Sequence, residues 1–339
     1  MALPAELPAP RTPDPMDAPP LRWGILGTGW IAYRFCAALG AGTRQQLVAV
    51  GSRSFETARA FAEMHHLPRA HASYAELVAD PEVDVVYVAT PHNHHHDDAA
   101  LALEAGKHVL VEKPMCVSAA QARSLGAIAE SRGRFLMEAM WALFLPKFDV
   151  IRQLLESGSL GAVRAVVADI GEHFEPSHRI WRADLAGGPL MDLGTYPLTL
   201  ATWVLGEPAN VQAMGTFAPD GLNVQAGMLL RTGSGALATL HATQLGNTPT
   251  AATIQGEAAT VEIAGPFYQP GPFRVRDIDG TTLEWDEPRV AHSALHLQAA
   301  EVARQVAAGQ TGSPLRRLAD TIAYLEVMDE VRRQLGISL

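Results

Sequence analysis

The chain has 339 residues, 48% of them apolar and 18% charged, which is enough for two domains with a core each. A formal net charge of −10 argues against nucleic acid as a partner, and no apolar run approaches the roughly 20 residues that span a bilayer. Cys36 and Cys116 stand in apolar or small-residue settings and read as buried thiols, so a cytoplasmic protein is predicted.

Residues 1–20 are proline-rich and lack the basic-then-apolar pattern of a signal peptide; they are expected to form a flexible arm. From residue 21 short apolar runs alternate with helical stretches. RWGILG, QLVAVGS, VDVVYVAT and HVLVEKP read as strands, and WIAYRFCAALGA, FETARAFAEMHH, HHDDAALALEAG and QARSLGAIAESRG as helices, the last leading to RFLMEAMW. Continuous apolar strands separated by helices predict a doubly wound parallel sheet over residues 21–140, a Rossmann α/β domain. Residues 141–339 change texture. A helix near Phe148–Leu155 and a helical insertion, MDLGTYPLTLATWVLG, precede a series of alternating runs joined by hairpin signals at Thr232–Gly235 and Asp279–Gly280. Helices from about Ser293 and Pro314 close the chain. The expectation is an α/β domain with a large, mostly antiparallel open sheet, whose uncovered face makes a homodimer or homotetramer.

The first strand breaks into Gly27-Thr28-Gly29-Trp30-Ile31-Ala32. Gly27 permits a tight turn, Gly29 keeps side-chain bulk from an approaching diphosphate, and Ala32 lets the helix pack close. The helix start, with Trp30 and Ile31, offers free N–H groups to phosphate. At the end of the second strand a carboxylate would bind a ribose diol; this chain has Ser52-Arg53-Ser54, which suits the extra phosphate of NADP(H) over NAD(H). Thr90, Pro91, His92, Asn93 and His95 follow another strand end and are expected to border the dinucleotide, as is Glu112. The histidine run opens a helix, so its side chains diverge, and no metal site is predicted.

Lys113, in Glu112-Lys113-Pro114, follows a strand end and is placed to polarise a substrate oxygen. Asp192 and Tyr196 stand four residues apart, which puts both on one helical face. An ammonium beside a phenol favours its ionised form and brings it nearer useful acid–base chemistry.

The segments GILGTGWIA, VVYVATPHNHHH, AGKHVLVEKPM and GGPLMDLGTYP, in this order, resemble the glucose–fructose oxidoreductase/inositol dehydrogenase/rhizopine-catabolism family from about Leu21 onward. The resemblance implies a Rossmann domain followed by an open-sheet α/β domain, with Lys113 as the catalytic lysine and Asp192 as the acid of the second motif. Tyr196 stands where many inositol dehydrogenases carry histidine. That substitution resembles the branch of dihydrodiol dehydrogenases and NADP-dependent xylose dehydrogenases. Trp181 and Arg182 lie where such enzymes contact cofactor and substrate. The implied activity is hydride transfer between NADP(H) and a carbinol or carbonyl of a sugar, polyol or cyclic diol. The alternatives are a nucleotide-sensing regulator without turnover and a sugar–sugar oxidoreductase with tightly held cofactor.

Overall fold

The computed structural model describes residues 3–290 and 294–338. The expected helix start at Ser293 lies outside the described residues. By compactness the chain divides into two units: residues 13–144 with 290–321, and residues 1–12 with 145–289 and 322–339.

In the first unit, β1 (Arg22–Leu26), β2 (Gln46–Gly51), β3 (Arg69–His71), β4 (Val85–Val88), β5 (His108–Glu112) and β6 (Leu136–Ala139) pair in parallel, in the order β3-β2-β1-β4-β5-β6. The intervening helices are α1 (Trp30–Gly42), α2 (Phe55–His65), α3 (Tyr74–Ala79), α4 (His95–Glu104) and α5 (Ala119–Arg132). Ser54, Ser73 and Ser118 fix three helix starts, each hydroxyl accepting from the backbone N–H three residues on. The strand order reverses direction at β1, so the loops after β1 and β4 open the crevice in which doubly wound sheets bind nucleotides.

In the second unit, α6 (Pro146–Glu156) leads into β7 (Val163–Gly171), α7 (Pro189–Asp192) and α8 (Thr195–Leu205). The strands β8 (Pro208–Phe217), β9 (Asn223–Thr232), β10 (Leu237–Thr243), β11 (Ala252–Gly256), β12 (Ala259–Ile263), β13 (Phe273–Asp277) and β14 (Thr282–Trp285) follow. They form one eight-stranded sheet, β14-β13-β12-β11-β7-β10-β9-β8, antiparallel throughout except for β7 with β10. The face bearing Val166, Ala168, Leu240 and Ala242 is buried, with α8 packed on β7 and β10. The opposite face leaves Val167, Leu229 and Leu237 exposed.

The chain ends with α9 (His296–Ala307) and α10 (Leu318–Leu335). Two expectations are corrected. Residues 290–321, assigned from sequence to the second domain, cluster with the nucleotide-type unit, where α9 packs on α1. The proline-rich arm is also held in place. In one unit Arg304 donates to the Asp14 carbonyl at 2.8 Å and Ala18 packs on Ala300 and Ala303. In the other, Arg11 meets Asp149 through its backbone N–H at 2.6 Å and its guanidinium at 2.9 Å. A single short helical turn, Pro15–Asp17, is tolerated because proline stands at its first position, and the segment's carbonyls and small side chains supply the remaining contacts.

Candidate functional site

The turn after β1 has the geometry its glycines imply. Gly27 adopts φ +97°, and a Cβ there would stand 2.7 Å from the Ala89 carbonyl oxygen. At Gly29, which begins α1, a Cβ would meet nothing within 4 Å. The N–H groups of Trp30, Ile31 and Ala32 precede the first helical bond, from Tyr33 to Gly29 at 3.1 Å, and therefore have no partner inside the helix. Open space beside Gly29, with donors and a dipole end facing it, fits a dinucleotide diphosphate. Thr28 is half-buried, while Trp30 is exposed and lies under the Arg34 guanidinium at 4.9 Å.

After β2, Ser52 accepts from the Ser54 N–H and Ser54 caps α2, both at 3.4 Å, while Arg53 is exposed. The two hydroxyls order the turn, and the guanidinium is the group it presents.

After β4, His95 lies beneath the loop. Its ring is fully buried, with Nδ1 2.8 Å from the Pro114 carbonyl and Nε2 2.8 Å from the Thr90 carbonyl. A neutral imidazole donates to one acceptor; only the doubly protonated ring donates to both. His95 thus ties the loop after β4 to the one after β5. His92 is buried, its ring 5.6 Å from that of His95 and inclined to it by 71°, whereas Asn93 is exposed and Pro91 half-buried. Among the described residues, no group of three or more His, Cys, Asp or Glu is arranged to hold a metal ion.

After β5, the Glu112 carboxyl turns inward. Tyr87 donates to Oε1 at 2.5 Å and the Lys113 N–H to Oε2 at 3.1 Å, while burial raises the Glu112 carboxyl above its ordinary range. Two residues past Lys113, the Met115 N–H donates to Glu138 at 2.7 Å. The Glu138 carboxylate, fully buried, also accepts from Arg316 at 3.0 and 2.5 Å and from Thr321 at 3.1 Å. The backbone carrying Lys113 is therefore held on both sides by buried carboxylates. Cys36 and Cys116 are buried and unlinked, and burial raises both thiols, that of Cys36 to about 12.

In the second unit, the expected single helix through Asp192 and Tyr196 is two. α7 ends at Asp192 and α8 begins at Thr195, with Leu193-Gly194 between them. A Cβ on Gly194 would sit 2.6 Å from the Leu190 carbonyl oxygen, so glycine is what allows this tight junction. Both Asp192 and Tyr196 are buried. Asp192 accepts from Arg179 at 3.0 Å. Arg182, the arginine singled out from sequence, is exposed and chelated by Asp184 at 2.7 and 2.6 Å, and the Trp181 indole donates to the Phe174 carbonyl at 3.0 Å. Glu172 stands close enough to Asp192 and His178 to feel both, and burial raises its carboxyl. The Tyr196 ring stacks on Tyr268 with centroids 4.2 Å apart and planes 17° from parallel. Arg179, Glu138 and Tyr268 were not found by sequence reading. Two arginines three residues apart in HRIWR are indistinguishable by pattern, and an aromatic in a loop carries no periodicity.

Residues 21–140 match the family model described as an oxidoreductase family with an NAD-binding Rossmann fold, and residues 148–262 match the Gfo/Idh/MocA C-terminal domain. Trans-1,2-dihydrobenzene-1,2-diol dehydrogenase of Xenopus tropicalis is 32% identical over 328 residues, which cover 94% of this chain and 98% of that protein. The mouse enzyme of the same name is 33% identical with the same coverage. Among solved structures, KijD10, a 3-ketoreductase from Actinomadura kijaniata in complex with NADP and TDP-benzene, superposes with a TM-score of 0.81 at 28% identity, covering 93% of this chain and 98% of its own. An aldose–aldose oxidoreductase from Caulobacter crescentus superposes at 0.84 with 26% identity, over 94% and 98% of the two chains. The cradle after β1, the buried loop carrying Lys113 and these matches along nearly the whole chain lead to one assignment: the protein is an oxidoreductase of the Gfo/Idh/MocA family.

Proposed function

We propose that the protein is an NADP(H)-dependent dehydrogenase or reductase acting on a carbinol or carbonyl of a sugar, polyol or cyclic diol. The observation that carries the reading is the pairing of an arginine at the end of β2, where an NAD-selective chain would hold a carboxylate, with a buried tyrosine four residues beyond a buried aspartate. The dihydrodiol dehydrogenases and the NADP-bound 3-ketoreductase among its relatives support it. Gly27, Gly29, the N–H groups that open α1, and Arg53 would hold the dinucleotide, whose nicotinamide supplies or accepts the hydride.

The chain's own groups handle the proton. In oxidation the Tyr196 oxygen takes the proton of the substrate hydroxyl; in reduction it returns it. The Lys113 ammonium lowers the cost of negative charge on the reacting oxygen. Asp192, steadied by Arg179, orients a neighbouring substrate hydroxyl. Two variants test these roles. Lys113→Ala is expected to lower kcat by ~10²-fold or more with NADPH affinity near normal, and unchanged turnover removes the lysine from the mechanism. Tyr196→Phe is expected to lose the corresponding limb of the pH–rate profile; an unaltered profile contradicts the phenol as proton carrier.

A second reading, oxidation of one sugar coupled to reduction of another on a retained cofactor, is favoured by the likeness to the aldose–aldose oxidoreductase. Dinucleotide that survives gel filtration distinguishes it from ordinary exchange. We also propose that the protein is a homodimer or homotetramer through the open face of the eight-stranded sheet.

A further inference from the structure

The loop between β12 and β13 is more firmly held than its position requires. At its start the backbones of Gly265 and Pro249 approach so closely that no side chain fits between them. The Phe267 N–H donates to the Thr250 carbonyl at 2.8 Å, and the Phe267 ring is buried. The neighbouring 249–251 turn is itself fixed, with the Thr250 and Ala251 N–H groups donating to Asp169 at 2.9 and 3.2 Å. The Gln269 N–H closes back on the Pro266 carbonyl at 2.9 Å. From α6, the fully buried Lys147 reaches the Gln269 carbonyl with its ammonium while its backbone N–H donates to Glu287 at 2.8 Å. Burying an ammonium is costly unless it is well bonded, and here it is committed to one loop carbonyl.

The residue this scaffold presents is Tyr268, between Phe267 and Gln269. Its ring lies nearly parallel to the Tyr196 ring, with centroids 4.2 Å apart. We propose that Tyr268 is a positioning residue for the proton-carrying phenol: its ring face fixes the plane of the Tyr196 ring and disfavours the phenolate until substrate is bound. The physical basis is the aromatic quadrupole. The face of a ring carries negative potential, so a neutral phenol stacks well against it and a phenolate less well. The neighbouring ring also excludes water that would solvate the anion. Both effects have one sign, and removing the ring lowers the pH at which Tyr196 ionises. The inference rests on the reading of Tyr196 as proton carrier.

The test compares Tyr268→Leu, Tyr268→Phe and Tyr196→Phe by the pH dependence of kcat, and by titrating phenolate absorbance in the protein without substrate. Tyr268→Leu is expected to lower kcat by about two- to tenfold and to move the Tyr196 limb to lower pH, while Tyr268→Phe, which keeps the stack, stays within about twofold of the unaltered protein. The Tyr196 absorbance step, identified by its loss in Tyr196→Phe, is expected to shift in the leucine variant and not in the phenylalanine variant. An unmoved limb and absorbance step in Tyr268→Leu overturn the inference, as does a phenylalanine variant as impaired as the leucine one. If Tyr196→Phe keeps full turnover and an unaltered profile, the reading of Tyr196 itself falls, and with it the role of Tyr268.

Discussion

At Arg53 the chain carries a cation on an exposed turn whose two flanking serine hydroxyls each accept from a backbone N–H and keep their own O–H to donate. A guanidinium gains a charge-assisted contact with a ribose phosphate, and a carboxylate in its place would repel one. Arg53→Glu is expected to reduce the preference for NADP over NAD by about tenfold or more, measured as the ratio of kcat/KM with the two cofactors. An unchanged ratio assigns the preference elsewhere. Arg53 was legible because strand, turn and helix fix its place in the chain. His95 and Glu112 were legible by their places at strand ends but not in the direction their side chains take. Whether a side chain at a loop turns outward to a ligand or inward to a carbonyl depends on partners tens of residues away, such as Tyr87 for Glu112.

At the scale of elements, buried charges fasten the functional loops. Glu138 on β6 holds the Met115 N–H, Arg316 and Thr321 together. Glu138→Ala leaves the Arg316 guanidinium buried without its carboxylate and is expected to cost about 3–5 kcal/mol in denaturant unfolding. Under 1 kcal/mol contradicts the account of this tie. Lys147 gives a pH signature. Burial lowers its ammonium to about 8, against the attraction of Glu287 and with the repulsion of Arg289. Between that value and its ordinary range near 10.5 the unfolded chain holds a proton the folded one has released, so stability attributable to Lys147 rises with pH across this window. The neutral amine still donates to Gln269. The stability of the unaltered protein relative to Lys147→Met is therefore expected to improve from pH 7.5 to about 10, and a flat difference contradicts the assignment. The elements themselves were read well where apolar runs were long. β3 was missed because three half-buried residues carry no pattern, and the break at Gly194 was missed because helical spacing continues through it.

For the whole molecule, the alternation of strands and helices made both sheets readable, and the hairpin turns marked the second one. What the sequence hid was the return of residues 290–321 to the first unit and the docking of the proline-rich segment, because both depend on contacts between distant parts of the chain. On the open face of the large sheet, the paired row Gln212, Leu229, Thr239, Val167, Thr253, Glu262, Arg274, Glu284 is apolar or neutral at one end and charged at the other. Light scattering at micromolar concentration is expected to give a dimer or tetramer, and Val167→Asp with Leu229→Asp to give a monomer; a monomeric unaltered protein contradicts this use of the face. No described helix is long and apolar enough to cross a membrane. The most direct test of the central claim is the initial rate with NADP and with NAD, side by side, over aldoses, inositols and trans-dihydrodiols, with cofactor binding followed by fluorescence. NADP-preferring turnover of at least one class is the predicted result, and dinucleotide binding with no turnover of any class would contradict it in favour of a nucleotide-sensing role.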